Sequence, residues 1–217
     1  MISISINKKL ADCGWAEVDE IQSTEALLIL AESLGKIILH PDGNYLNLVK
    51  PKSSQKAING SFSNKYGYGE FPFHTDTAFW LRPARYIVMT SLLASDTDTV
   101  IISLGQLINM LSNNVQALAK SAIFSVKTTQ VSYYTRAILE NALSDGIRFD
   151  SCCMSPANKS ARYLQENIIE TSQKIEPAKI RWSGSNAVII DNWKALHGRK
   201  AIEQEFESRT LARIYVE

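Results

Sequence analysis

Short runs of apolar residues, most of them rich in β-branched or aromatic side chains, recur along the chain. Their alternation and length predict strands at residues 36–39, 46–49, 71–77, 86–92, 100–102, 123–127, 130–135, 146–150, 187–191 and 210–216. Helices interrupt this succession at few points and do not alternate regularly with the strands. The pattern therefore favours a closed or sandwiched antiparallel sheet over a parallel sheet of βαβ units.

Apolar positions spaced three or four residues apart predict helices at about 22–35, at about 103–120 with a break at 112–114, and at about 157–174. Ser23 or Thr24 can cap the first helix, and Gly35 stands where a left-handed C-cap would end it. Ser155 and Pro156 introduce the third, with the proline in its first turn. We interpret the first as an N-terminal helical segment and the other two as insertions.

The chain length sets the domain organisation that we expect. A chain of 217 residues can bury a substantial core and lies near the upper end of one ordinary domain. We therefore predict a single domain over residues 1–217. Residues 52–69 are rich in Ser, Asn, Gly and Lys without periodicity, which predicts a long loop of the kind that usually serves a site.

Composition excludes several functional classes. With 45% hydrophobic residues, 21% charged residues and a net charge of +1, neither disorder nor a polyanion-binding surface is indicated, so we expect no nucleic-acid partner. No apolar run approaches the ~20 residues that cross a bilayer, so we expect no membrane association. Cys13, Cys152 and Cys153 are odd in number and lack C-x-x-C spacing. Reduced thiols in the cytoplasm fit this pattern best.

Histidine is scarce, and two of the three histidines stand in informative places. His74 and Asp76 are two residues apart on a predicted extended segment, so their side chains share a face. His197 follows an apolar strand, at the point where we expect the chain to leave the sheet. Two histidines and one carboxylate form the arrangement that holds Fe(II) in non-haem oxygenases, although a surface strand can carry His-x-Asp by chance.

The last predicted strand carries two arginines on one face. Arg209 and Arg213 are four residues apart, which separates them by about 13 Å along an extended chain. One could hold a carboxylate away from the metal while the other reaches a different group. The alternative is a solvent-facing pair on an edge strand.

Four segments occur in an order that resembles a known family: Phe73 to Thr77 with its His-Thr-Asp core, Asp98 to Ser103, Asp191 to Arg199, and Arg209 to Arg213. The set is similar to that of the TauD/TfdA-like (clavaminate synthase-like) Fe(II)- and 2-oxoglutarate-dependent dioxygenases. The resemblance spans residues 35 to 217. Its specificity lies in the order of the segments and in the position of Arg209, twelve residues after His197.

The resemblance implies a mainly β fold with inserted helices, namely the double-stranded β-helix or cupin-like jelly roll. It implies that His74, Asp76 and His197 bind Fe(II), with 2-oxoglutarate and O₂ as co-substrates. Two further residues would hold the distal carboxylate of 2-oxoglutarate: Thr99 by a hydrogen bond and Arg209 by a bidentate pair. The presence of Asp76 favours oxygen chemistry over halogenation, because relatives that halogenate lack this carboxylate.

Two assignments within this site stay open at the level of sequence. The segment before Thr99 lacks the glycine pair that is frequent in the family, so Thr97 is a rival for its role. Arg213, on the same strand face as Arg209, is assigned to a carboxylate of the substrate or co-substrate.

The function implied is hydroxylation of a C–H bond in a small polar, amino-acid-like metabolite, with release of succinate and CO₂. The substrate would be a small molecule, either a free amino acid or one tethered to a carrier. Desaturation or another oxidation in specialised-metabolite biosynthesis is the near alternative. A non-catalytic jelly roll that binds a metal or a carboxylate is the alternative from another class, and a zinc or manganese hydrolase or isomerase is a third.

Several other residues have competing interpretations. Arg148 either faces the pocket and binds a substrate carboxylate or forms an ion pair with Asp150 or Asp145. His40 is interpreted as structural.

Residues beside the predicted ligands have supporting interpretations. Trp80 and Trp193 either wall the pocket or pack elsewhere. Asn192 and Arg199 flank His197 in sequence and could orient it. Cys152 and Cys153 are not expected to act as nucleophiles.

Overall fold

The computed structural model describes residues 3–40, 42–203 and 210–217. Its strands are β1 (Trp15–Asp19), β2 (Ile37–Ile38), β3 (Asn47–Val49), β4 (Phe71–His74), β5 (Tyr86–Ser91), β6 (Ala94–Ser103), β7 (Ile123–Lys127), β8 (Ser132–Arg136), β9 (Met154–Pro156), β10 (Ala178–Ser183), β11 (Asn186–Asp191), β12 (Ala195–Arg199) and β13 (Leu211–Val216). Its helices are α1 (Ile4–Cys13), α2 (Thr24–Glu32), α3 (Phe62–Tyr66), α4 (Leu104–Met110), α5 (Asn113–Ala119) and α6 (Lys159–Ser172), with a short 3₁₀ turn at Ser54–Lys56.

The larger of the two central sheets is antiparallel, in the order β1-β11-β5-β13-β2, with β3 also paired to β13. Alternation along β13 places its residues on two faces. Ala212, Ile214 and Val216 join the outer cluster that includes residues of α1 and α2. Leu211 and Tyr215 join the cluster on the opposite face, which lies between the sheets.

The smaller central sheet has the order β10-β6-β12-β4 and is also antiparallel. Its inward residues meet those of the larger sheet in one apolar cluster: Ile101, Ile180, Trp182 and Ala195 from one side, and Ile87, Met89, Val188, Ile190, Leu211 and Tyr215 from the other. Two antiparallel sheets facing each other over a shared interior confirm the predicted jelly-roll fold.

A third layer covers the outer face of the smaller sheet. It consists of the small sheet β8-β7-β9 together with α4, α5 and α6. Ile102 and Leu196 face outward from β6 and β12 into this layer, whose core includes the fully buried Phe124. The layer therefore supports the sheet that carries His74 and His197.

The predicted strand at 146–150 is wrong. The backbone N–H groups of Ile147, Arg148 and Phe149 donate to three different acceptors, Trp193 O, Ala137 O and Thr75 Oγ1. Because the partners change at every residue, no ladder forms and the described chain contains one isolated bridge there. The segment is extended and buried without belonging to a sheet.

Two helix boundaries also differ from the sequence prediction. Helix α2 ends on Ser33 in right-handed conformation, so Gly35 is not its C-cap. A Cβ on Gly35 would collide with the carbonyl oxygen of Glu217, and this close approach is what requires glycine. Asn158 caps α6 by accepting from Ala161 N–H, whereas Pro156 ends β9.

The helix over Ile4–Cys13 was not predicted, because the alternation of Ile with Ser and Asn imitates a strand. Its end signals are nonetheless in the sequence. The Ser3 side chain accepts from Ile6 N–H, and Gly14 ends the helix at a φ of 78°.

Membrane-spanning length is not reached by any described helix: none combines enough residues with enough hydrophobicity to cross a bilayer.

The pairing of β4 with β12 depends on glycine at position 198. A Cβ there would lie 2.6 Å from the backbone oxygen of Phe71, so substitution must push the two strands apart. We expect Gly198→Ala to lower the free energy of unfolding by about 1–3 kcal/mol, as overpacking does. Gly105, near the start of α4, has its nearest neighbour at 3.8 Å. We expect the control Gly105→Ala to be neutral or to stabilise by up to about 1 kcal/mol. Urea denaturation of both variants checks this, and equal stabilities would contradict it.

Candidate metal centre

Two histidines face each other across neighbouring strands. His74 is the last residue of β4 and pairs directly with His197 on β12, and their ring centroids are 4.5 Å apart. Both are buried. His197 therefore lies inside a strand; the expectation that it follows the sheet is wrong, because the chain reverses at residues 191–194 and re-enters the smaller sheet as β12.

Asp76 completes a compact group. One ligand atom from each of His74, Asp76 and His197 lies within 4.8 Å of the others, and among the described residues these three side chains form the cluster capable of holding a metal ion. His74 Nε2 is 3.6 Å from Asp76 Oδ1, and His197 Nε2 is 3.8 Å from Asp76 Oδ2. The sequence prediction thus named three side chains that the fold brings together.

A turn fixes the position of Asp76. Asn192 accepts from the Asp76 N–H and donates to the Asp76 carbonyl oxygen, both at 2.9 Å, and donates again to Ala84 O. Thr77 has a φ of 55°, which is unusual for a β-branched residue. Its hydroxyl donates to Asp76 O and accepts from Ala84 N–H. Asn192 was predicted to orient His197; it holds the backbone of Asp76 instead.

The neighbours of the histidine rings select the nitrogens that face the centre. His74 Nδ1 lies 2.9 Å from Pro72 O, so that nitrogen carries the proton and Nε2 is left as the lone-pair donor toward Asp76. His197 also turns Nε2 toward Asp76, and its buried Nδ1 meets no hydrogen-bond partner within the described chain.

The carboxylate of Asp76 is held in its charged form. Arg213 Nη1 donates to Oδ2 at 2.6 Å, and the Tyr215 hydroxyl donates to the same oxygen at 3.2 Å. Burial tends to raise the pKa of Asp76, but the charge of Arg213, with a smaller contribution from the nearby His74, outweighs it and holds that pKa well below its usual value.

The pKa values of the two histidines are shifted in opposite directions. Burial and the proximity of His74 lower the pKa of His197 to about 3, so His197 is neutral at physiological pH. Burial also works against charge on His74, yet the nearby carboxylate of Asp76 leaves its pKa raised.

The remaining predicted residues of the site have the following positions. Thr97 and Thr99 are both buried on β6, and Thr99 lies two residues from Ile101, the cross-strand partner of His197. The geometry does not distinguish Thr97 from Thr99. Arg209 lies outside the described residues. Arg213 points at Asp76, and its Nη2 donates to Asn47 Oδ1 at 2.9 Å.

Arg148 forms neither of the ion pairs considered from the sequence. Within the described chain its guanidinium donates to Tyr133 Oη, Thr135 Oγ1 and Leu81 O. The carboxylate of Asp150 accepts from Cys152 and Cys153 N–H instead, and that of Asp145 accepts from Ala142 N–H. Arg148 thereby ties the loop after Asp76 to β8.

Aromatic rings surround the centre, and one of them was missed. Phe62, on the short helix α3 within the predicted 52–69 loop, lies with its ring centroid 4.1 Å from that of His74. Its only sequence signal was an aromatic residue within a polar stretch. Trp80 meets the edge of Tyr215 at 5.5 Å. His40 stacks on Tyr215 at 6.4 Å and belongs to no metal-binding group in the described chain.

Two further predictions concern side chains that hold loops. Trp193 donates to Pro83 O and carries Arg82 and Arg85 on its ring, so it packs away from the centre. Arg199 donates to Gly67 O and Gly69 O, which fastens the loop that carries Phe62.

Comparisons with known proteins place this fold among oxygenases. No protein-family model matches the chain, and no curated protein matches it in sequence. Solved structures match over nearly the whole chain. An asparagine oxygenase in complex with Fe(II), 2S,3S-3-hydroxyasparagine and succinate has a TM-score of 0.79 at 16% identity, covering 98% of this chain and 77% of that one.

Two other neighbours have similar scores. The non-haem iron oxygenase OrfP, in complex with Fe, succinate and (3S)-hydroxy-L-Arg, has a TM-score of 0.74 at 18% identity and covers 98% of this chain and 78% of its own. PvcB from Pseudomonas aeruginosa has a TM-score of 0.70 at 14% identity, with coverages of 98% and 79%. The chain therefore has the fold of these oxygenases.

Cys152 and Cys153 are expected to be unreactive. Burial and the charge of Asp150 raise the pKa of Cys152 to about 11, and the same causes raise the pKa of the buried Cys153 further. Cys13 is exposed. We expect iodoacetamide at pH 7.5 to modify Cys13 at least tenfold faster than the other two, as followed by peptide mass spectrometry. Equal labelling of Cys152 and Cys13 would show that the Cys152 thiolate is accessible and populated.

Proposed function

We propose that the protein is an Fe(II)- and 2-oxoglutarate-dependent dioxygenase that hydroxylates a C–H bond of a small amino-acid-like molecule. The observation that carries this proposal is the buried group of His74, Asp76 and His197 on a jelly roll with the fold of iron oxygenases. Desaturation by the same centre is the neighbouring outcome.

The donor set fits Fe(II). Two imidazoles present Nε2 and one carboxylate presents oxygen, and three protein ligands leave positions for small molecules. The low pKa of His197 keeps a lone pair available at neutral pH, and Arg213 keeps Asp76 ionised. When bound, the iron would supply O₂ activation coupled to decarboxylation of the 2-oxo acid, which yields succinate and CO₂.

The protein's own residues would place the reactants. Thr99, with Thr97 as its rival, and Arg209 are proposed to hold the distal carboxylate of 2-oxoglutarate. Arg213 would place its positive charge beside Asp76. There it could also attract a carboxylate of the substrate or co-substrate. Phe62 lies over His74 and would keep water from the centre.

The substrate class is supported by the neighbours. One is in complex with 3-hydroxyasparagine and succinate, and another with (3S)-hydroxy-L-Arg and succinate. We extend this class to the present chain, as a free amino acid or one tethered to a carrier. The odd number of cysteines, at Cys13, Cys152 and Cys153, supports a cytoplasmic location.

The direct test is reconstitution without oxygen. We expect Fe(II) and 2-oxoglutarate to give a weak visible charge-transfer band, and subsequent O₂ to yield succinate. His74→Ala should abolish the band because it removes a ligand, whereas His40→Ala should retain it because His40 lies outside the cluster. A wild-type protein without the band refutes the proposal. A band without succinate formation would identify a non-catalytic binding protein.

Asn192 is expected to support the metal through the backbone of Asp76. Asn192→Ala removes the three hydrogen bonds of a fully buried side chain, so we expect metal affinity to fall by about 10–100-fold. Asn167→Ala on α6 removes one exposed bond to Tyr163 O and serves as the matched control. Co(II) titration followed by absorbance, at a temperature where both variants are folded, measures the effect. Unchanged affinity in Asn192→Ala would mean that the Asp76 turn forms without this side chain.

A further inference from the structure

The indole N–H of Trp182 is a buried donor without an acceptor. Trp182 is 2% exposed, and its Nε1 meets no hydrogen-bond partner in the described chain. Buried tryptophans normally find a partner for this group, as Trp193 does at Pro83 O, 3.1 Å away. Leaving such a buried donor unpaired is unfavourable, so an acceptor that arrives with a ligand would stabilise the protein.

Trp182 faces the interior between the two central sheets. It lies on β10 in alternation with exposed residues and belongs to the interior cluster with Ile180, Met89 and Leu211. On the paired strand β6, Ile180 opposes Thr99 and Trp182 opposes Ser95, with a register shift between them. The buried Thr97 and Thr99 therefore lie along the same stretch of β6 as the indole.

The strand register gives the positions of Thr99 and Trp182 along β6 relative to the metal centre. Ile101 pairs with His197, and Thr99 is two residues further along β6, which corresponds to about 7 Å of strand. Trp182 lies beyond that level in the same direction. A diacid held at the metal centre by one end and lying along β6 would bring its other carboxylate toward Thr99 and Trp182.

The chemistry of the donors selects an anion. An indole N–H can donate a hydrogen bond but cannot accept one, so the group that pairs with it must be an acceptor. Hydrogen bonds to an ionised acceptor are the stronger ones. Asp96 is exposed and Asp98 is half-buried, so among the described residues of this stretch no fully buried carboxylate is available to the Trp182 indole.

We propose that the Trp182 indole N–H donates a hydrogen bond to the distal carboxylate of the 2-oxo acid and thereby helps the protein to select a diacid. The proposal rests on the proposed function and adds a specificity residue to it. Trp182 is a positioning residue that acts on the co-substrate and takes no part in the chemical step.

The test compares two keto acids in two proteins. Wild type and Trp182→Phe are titrated anaerobically, in the presence of Fe(II), with 2-oxoglutarate and with 2-oxopentanoate, which has a methyl group in place of the distal carboxylate. The charge-transfer band reports binding without turnover. We expect Trp182→Phe to weaken 2-oxoglutarate by about tenfold or more and to leave 2-oxopentanoate within about twofold, because only the first accepts the bond.

The outcomes separate the two proposals. If wild type binds 2-oxoglutarate and Trp182→Phe weakens both keto acids equally, or neither, the role of Trp182 is wrong while the proposed function stands. If wild type binds neither keto acid, both proposals fail. Trp193→Phe, which loses an indole bond elsewhere, should not change the ratio of the two affinities.

A measurement on the wild-type protein covers the case in which Trp182→Phe does not fold. The chain has four tryptophans, so ¹⁵N-indole labelling gives four N–H resonances. With Zn(II) in the site, we expect 2-oxoglutarate to move the Trp182 resonance downfield and 2-oxopentanoate to leave it in place. The other three resonances are assigned from Phe variants of Trp15, Trp80 and Trp193. A Trp182 resonance that does not respond to 2-oxoglutarate overturns the proposal.

Discussion

The antiparallel pairing of β4 with β12 is the constraint on which the site depends. It places His74 directly opposite His197 although the two are far apart in sequence. The pairing requires a close approach of backbones at Gly198, where any side chain would meet the oxygen of Phe71. A shift of one residue would turn one imidazole to the opposite face of the sheet. Strand register therefore sets the geometry of the candidate metal centre.

Electrostatics then stabilises a buried group that would otherwise be unfavourable. Burying a carboxylate and two imidazoles costs several kcal/mol unless their charges and protons find partners. Asp76 finds Arg213 and Tyr215 through the same oxygen, and His74 finds the carbonyl of Pro72. These partners come from β13 and from β4 itself, so both central sheets contribute to the stability of the three-residue group.

The turn after β4 is held by residues that lie outside the strands of the two central sheets. Thr77 adopts a left-handed conformation that costs about 1–3 kcal/mol for a side chain of its kind. Asn192 and the backbone of Phe149 hold the neighbouring residues Asp76 and Thr75 by hydrogen bonds. The outer layer of β7, β8, β9 and α6 supports the 147–150 segment in turn. Packing far from the metal ligands thus fixes the one ligand that lies outside a strand.

The sequence by itself determined most of the strands, the helix cap at Ser23, for which Thr24 was the alternative, and the identity of the three clustered side chains. These are local properties: alternation, capping chemistry and the two-residue spacing of His74 and Asp76 are carried by neighbouring residues. The 146–150 segment and the helix at Ile4–Cys13 escaped this reasoning because their local patterns imitate a strand.

Only the tertiary structure decided which residues the side chains around the site contact. Asn192 could be placed near a ligand from its position in the sequence, but its bonds to Asp76 arise because the β11–β12 turn meets the turn after β4. The same holds for Arg213 at Asp76, for Phe62 over His74 and for the orphan indole of Trp182. Each depends on contacts between residues distant in the chain, which are set by strand order and register rather than by any local preference.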